Sequence, residues 1–138
     1  MRTIRTLAAI ALAGAGCSAM ANEVTIEVTN IAEARGNILV AAYDKADGWL
    51  KRTPLMTAAP AKAGSMTLRF PRLPDGDYAI SVVHDLNANN RLDMNAIGIP
   101  TEPYGFSNDA VGNFGPPTFD AARVKVGPGT SKIVVNLN

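Results

Sequence analysis

"LPDGDYAISVVHD", Leu73 to Asp85, is the stretch that decides the fold. Pro74 sets its own φ, Asp75 caps, and Gly76 accepts the positive φ that closes a tight turn. The residues after the turn keep a period of two. Tyr78, Ile80, Val82 and His84 fall on one face, and Ala79, Ser81, Val83 and Asp85 on the other, as successive strand side chains do.

The neighbouring segments have the same character. Upstream, "SMTLRFPRL" (Ser65 to Leu73) puts Met66, Leu68 and Phe70 on one face. "EVTIEVTNI" (Glu23 to Ile31) alternates Val24, Ile26 and Val28 with Glu23, Thr25, Glu27 and Thr29, which predicts one buried and one wetted face. After the turn Arg35-Gly36-Asn37, "NILVAAYD" (Asn37 to Asp44) is almost continuously apolar and predicts a central strand. "KADGWLKRTPLM" (Lys45 to Met56) is broken by Gly48 and Pro54 and reads as an irregular link with a short helical turn, its Trp49 covering an edge of the core. Downstream, "AARVKV" (Ala121 to Val126) and "SKIVVNL" (Ser131 to Leu137) are two more strands joined by "GPGT". No helical period of any length occurs. The expectation is an all-β chain, a single Ig-like β-sandwich of about seven strands over residues 22–138 with Greek-key-like connections.

Residues 1–21, "MRTIRTLAAIALAGAGCSAMA", have a different composition. Arg2 and Arg5 precede a short apolar run, and Ala19-Met20-Ala21 is an A-x-A cleavage signal, the pattern of a secretory signal peptide. The run is too short for a membrane span, which needs about 20 apolar residues. Cys17 is a poor lipidation site, because Gly14 stands where a lipobox carries Leu. Export to the periplasm or beyond is expected. The remaining chain has no cysteine, which excludes disulfides and thiolate chemistry, and its one His excludes the usual zinc sites within one chain. Removing Arg2 and Arg5 from thirteen basic residues leaves eleven against twelve acidic ones, a net of −1 with no basic block for nucleic acid. No second segment predicts a membrane span.

From Asp85 to Thr118 no strand or helix is predicted. Loops beyond about 12–15 residues are uncommon in compact domains and are usually functional or disordered. Leu92, Met94, Ile97, Ile99, Tyr104, Phe106, Val111 and Phe114 argue against disorder, and the interspersed Gly and Pro residues describe a specified path. The loop is therefore an ordered excursion over one end of the sandwich.

Three chemistries compete for it. Asp85, Asn87, Asn89, the Arg91 carbonyl and Asp93 occupy positions 1, 3, 5, 7 and 9 of a calcium-loop spacing, with Asn90 at position 6, where Gly is usual. Position 12 is Ala96 instead of a bidentate Glu, so Glu102 or Asp109 must fold back to close such a site. The alternative is a metal-free network in which Asp and Asn bond their own backbone. A second chemistry is catalytic: His84 and Glu102, with Asp85, are the candidates for a small hydrolase or lyase. No nucleophile elbow accompanies them, and strand neighbours such as His84 and Asp85 face opposite ways. A third is ligand binding, with Tyr104, Phe106 and Phe114 stacking on a flat ligand and Asn108 and Asn113 supplying hydrogen bonds, unless the rings pin the loop instead.

The run "LPDGDYAISVVHDLNANNRLD … GIPTEPYGFSN … GPPTF" resembles a bacterial exported domain-of-unknown-function family, two-one-four-one, over nearly the whole mature chain. The family pattern has Gly where Asn90 stands here. The resemblance implies a secreted or periplasmic sandwich of the transthyretin-like or carboxypeptidase-regulatory-like kind, and it supplies no activity. The leading expectation is an exported, non-enzymatic module that binds an envelope protein or a small ligand. The alternatives are the enzyme above and a structural envelope protein without ligand.

Overall fold

A computed structural model describes residues 22–51 and 55–138. The signal-peptide expectation lies outside the described residues. Eight strands form two sheets: β1 (Asn22–Ile31), β2 (Asn37–Tyr43), β3 (Leu55–Pro60), β4 (Gly64–Leu73), β5 (Gly76–Asp85), β6 (Tyr104–Phe106), β7 (Arg123–Val126) and β8 (Thr130–Asn136). The smaller sheet has the order β4-β1-β8, and the larger runs β3-β2-β5, with β6 and β7 sharing the far side of β5. The all-β, sandwich-like expectation holds.

The alternation in β1 does what its period requires. Val24, Ile26 and Val28 are fully buried, while Glu23 and Glu27 stay on the outer face and pair with Arg69 and Lys132. Ile38, Val40 and Ala42 of β2 and Tyr78, Ile80 and Val82 of β5 meet them from the other sheet, forming one core between the layers. At roughly 25 cal/mol per Å² of apolar surface, this burial is the main term favouring the fold. The hydroxyl of Tyr78 donates to the Pro74 carbonyl (2.9 Å), and burial, then Asp44 and Asp75, push its pKa up.

The Pro74-Asp75-Gly76 turn is a corner between layers, since β4 and β5 lie in different sheets. The "GPGT" turn likewise joins strands of different sheets, and β8 lies parallel to β1. The expected start of the strand at Ala121 needs correction. The segment after Pro117 begins with one helical turn, Phe119–Ala122, capped by the Thr118 hydroxyl accepting from Ala121 N (3.2 Å), so β7 starts only at Arg123. β3 and β6 have no counterpart in the sequence reading. β3 is a largely exposed edge strand whose sequence, LMTAAP, has no apolar–polar alternation, and β6 has three residues.

The second face of the large sheet is not left to water. Ala41, Tyr43, Ala79, Phe106 and Ala122 form a smaller core around Trp49, whose indole N–H donates to Pro117 O (2.8 Å). Its ring meets Tyr43 edge-on at 5.1 Å between centroids and lies 5.7 Å from Phe106. Trp49 covers core, as expected, and it also ties the end of the long loop to the sheet.

Candidate functional site

The loop after β5 is built around two buried carboxylates. Asp85 is the last residue of β5 and points to the outer face, fully buried. Its Oδ1 accepts from Asn89 N (3.1 Å) and its Oδ2 from Asn90 N (2.7 Å). Those bonds wind the chain into a tight coil, and Asn90 adopts the left-handed conformation (φ +64°) that its position 6 requires. Asn87 and Asn89 add Asx turns, each side-chain oxygen accepting from the N–H two residues on, Asn89 N at 3.2 Å and Arg91 N at 3.1 Å.

Glu102 is the second carboxylate. It folds back as the sequence required of any closing group. Its Oε1 accepts from Leu86 N (2.9 Å) and its Oε2 from Asp93 N (3.0 Å), so one side chain clasps both ends of the coil. The neighbouring backbone repeats the clasp, with His84 N donating to Pro103 O (2.9 Å) and Thr101 N to Asp93 O (2.9 Å). Asp109, the other candidate for closure, instead accepts from Asn136 Nδ2 (2.8 Å).

Asp93 sits at the outer end of the coil, where the side-chain amides of Asn89 (2.7 Å) and Asn87 donate to its two oxygens. Those bonds hold its pKa below the ordinary carboxylate value against an opposing effect of burial, and the Arg91 charge adds a smaller lowering. The proposed metal ligands Asp85, Asn87, Asn89, Arg91 and Asp93 are thus gathered into one coil. Each carboxylate oxygen of Asp85, Asp93 and Glu102 already holds an N–H donor, and the Asn87 and Asn89 amides offer Asp93 nitrogen, not oxygen.

The catalytic candidates are not assembled. His84 is fully buried, with Nε2 2.7 Å from Arg35 O and Nδ1 without a hydrogen-bond partner. Gly36 makes that close approach feasible, since a Cβ there would fall 1.9 Å from Asp85 O. No hydrogen bond joins His84 to a carboxylate among the described residues, and Asp85 and Glu102 are spent on backbone N–H groups.

From this clasp the loop sends out two fingers. The first, residues 93–101, is closed at its base by Thr101 and Asp93 and inside by Asn95, whose side-chain oxygen accepts from Ile97 N (3.1 Å) and Ile99 N (2.9 Å). The second, residues 107–118, is anchored by Ser107, whose hydroxyl accepts from Ile80 N (2.9 Å) and donates to Ala122 O. Asn108 reaches Arg123 O at 2.7 Å. The second finger narrows at Gly112, where a Cβ would come within 1.6 Å of Gly115 O, and that pinch presents Phe114 at φ +57°.

Between the fingers and the outer face of the large sheet lies a cleft of about 1160 Å³. Leu39, Ala41, Ser81 and Val83 line its sheet side. Nine large hydrophobic residues are exposed among the described residues, and seven of them line this cleft: Leu50 and Met56 from the body, Met94, Ile97 and Ile99 from the first finger, Val111 and Phe114 from the second. Apolar exposure on this molecule is therefore concentrated at one place, where scattered single residues would carry no meaning.

Of the five expected ligand contacts, Tyr104 and Phe114 line the cleft and Asn113 does not. Phe106 reaches it from the second core, where it is almost wholly buried, and Asn108 is turned inward onto the backbone of the helical turn. Ile97, Ile99, Met94, Val111 and Met56 were missed. Their apolar character was legible, but their exposure depends on the hydrogen bonds that shape the fingers.

These features define a small two-sheet β protein whose long loop, clasped by buried carboxylates, walls an apolar cleft. The chain belongs to the family described as an uncharacterized protein conserved in bacteria (DUF2141), whose model matches residues 26–134. No curated protein and no solved structure matches it.

Proposed function

We propose that this chain is an exported, non-catalytic binding module whose cleft takes an apolar ligand. The observation that carries the reading is the gathering of seven of nine exposed large hydrophobics around one cleft. Ligand sites are typically concave, mostly apolar and about 300–1,000 Å³ in volume. Asp85 and Glu102 each accept from two backbone N–H groups, which supports a structural role for both. Export rests on the leader pattern of residues 1–21.

The test is fluorescence titration with N-phenyl-1-naphthylamine, a neutral probe that brightens in apolar surroundings. Saturable binding is expected in the folded protein, weakened at least tenfold by Ile99→Asp, which places a charge on an exposed lining position. Equal binding by both proteins contradicts the reading.

Calcium is a second reading for the clasp. It is favoured by the coil that Asp85 imposes, by Asn90 at φ +64°, and by the return of Glu102 to the Asp93 backbone. It requires Asn87 and Asn89 to turn oxygen toward the ion. Thermal unfolding in rising CaCl₂, with MgCl₂ as control, decides it. Binding to the folded state at 100 times Kd adds about 2.7 kcal/mol. A calcium-selective rise that Asp93→Asn removes supports the reading, and no rise at millimolar CaCl₂ rejects it.

A further inference from the structure

The strand edges of the two sheets are closed in different ways. β4 carries Arg69, Pro71 and Arg72, β7 carries Arg123 and Lys125, and β8 carries Lys132. β6 has three residues, and Asn138 N donates to Tyr104 O beside it. Charge, proline and shortness are the usual protections of a strand edge. β3, LMTAAP, is the outermost strand of the large sheet and has no charged residue. Its Leu55 and Met56 are exposed apolar side chains.

The register tells which backbone groups of β3 are spare. Ala61 N donates to Gly36 O (3.0 Å), one step beyond the Asn37–Pro60 pair in the same register. Hydrogen-bonded and non-hydrogen-bonded pairs alternate along an antiparallel ladder. Leu55, Thr57 and Ala59 therefore bond to β2, while Met56 and Ala58 turn N–H and C=O away from it. No strand pairs with that side among the described residues. Pro60, next in the outward row, has no N–H and ends it.

We propose that β3 is a self-association edge: two copies of this chain pair antiparallel over Leu55–Ala59, about a two-fold axis at Thr57, and join their large sheets into one. The strand is complementary to itself in this register. Met56 falls opposite Ala58 of the second copy, and each such pair exchanges both of its hydrogen bonds, so every outward group of Met56 and Ala58 is satisfied. Large side chains meet small ones, Leu55 against Ala59 and Met56 against Ala58. A neutral strand meets its own copy without opposing like charges. Paired residues share a face, so both clefts open on the same side of the joined sheet. The proposal does not depend on what the cleft takes. One short strand a side falls below the roughly 20–30 residues a side of a stable interface, so a weak dimer with a Kd of roughly 10–100 µM is expected. Pairing uses the edge of both copies, and growth stops at the dimer.

The test is sedimentation equilibrium of the folded protein up to about 500 µM. A concentration-dependent dimer is expected. Ala58→Pro removes an outward N–H and no bond to β2, a change that edge strands tolerate, and is expected to weaken the dimer at least tenfold. A pair of cysteine variants reads the register without altering the backbone, and decides alone where the proline disturbs folding. In a Cys17→Ser background, Thr57→Cys sets two thiols opposite one another in a non-hydrogen-bonded pair, about 4.5 Å between Cα atoms and within disulfide reach. Oxidised glutathione is expected to give a covalent dimer of Thr57→Cys and at least tenfold less of Ala59→Cys, which faces Leu55 of the other copy. Equal cross-linking of the two contradicts the pairing. A protein monomeric throughout overturns the proposal and leaves β3 to an extended segment of another protein. A dimer that Ala58→Pro leaves intact and Ile97→Asp breaks also overturns it, and assigns association to the cleft.

Discussion

Glu102 contributes to stability out of proportion to its place in an irregular segment. Its carboxylate is almost wholly buried and receives the N–H groups of two residues at opposite ends of the coil. Glu102→Ala leaves both donors without an acceptor, a cost of about 2–4 kcal/mol in urea denaturation, since each stranded buried group costs about 1–3 kcal/mol. Glu102→Gln keeps one acceptor and is expected to cost about half as much. Equal stability of Glu102→Ala and the wild type would remove the clasp from the account. Asp93 makes a pH-dependent contribution. Its folded pKa is lowered, chiefly by the Asn89 and Asn87 amides. The stabilisation is therefore complete above the ordinary carboxylate value and is lost as the pH falls through the folded one. Carboxyl carbon titration by NMR is expected to show the Asp93 midpoint moving up in Asn89→Ala, toward the ordinary value. An unmoved midpoint would mean that the amide bonds do not hold the charge.

At the scale of the element, the fingers depend on few anchors. Ser107 joins β5 to the helical turn before β7 by accepting from Ile80 N and donating to Ala122 O, both inside the molecule. Ser107→Ala strands both groups, and hydrogen exchange is expected to accelerate at Ile80 and through residues 107–118 while β1 keeps its protection. Uniform acceleration would show that the second finger is not a separate unit. Much of the strand layout was legible because β1 alternates, as β4 does over Met66–Phe70, and alternation has one structural meaning when one face is buried. β3 was not, because Leu55–Pro60 faces water along most of its length and has no burial pattern to print in its sequence. β6 was not, because its three residues are a strand only by pairing with Ser81–Val83, a contact across more than twenty positions. The clasp was half legible. The spacing of Asp85, Asn87, Asn89 and Asp93 announced a coil, but whether a carboxylate meets an ion or an N–H is decided by backbone direction, which composition does not carry.

For the whole molecule, the two-layer core accounts for the fold, and the outer face of the large sheet carries the proposed binding cleft. The near-continuous apolar run of β2 predicted a strand buried on both sides. That is right for Ile38, Val40 and Ala42 on the inner face and for Tyr43 against Trp49 on the outer one. Leu39 and Ala41 are buried on the outer face as well, where that face also floors the cleft. Ile26→Ala, in the middle of the inner core, is expected to cost about 2–5 kcal/mol without changing ligand affinity per folded molecule. Ile99→Asp should do the reverse. This separation of stability from binding is the signature of a module whose site is an addition to its scaffold. The most direct test of the central claim is an amide and methyl chemical-shift map of the folded protein titrated with decan-1-ol. Shifts confined to Leu39, Val83, Met94, Ile99 and Phe114 are predicted. Shifts spread over the outer face of β1, or none at saturating ligand, would contradict the account.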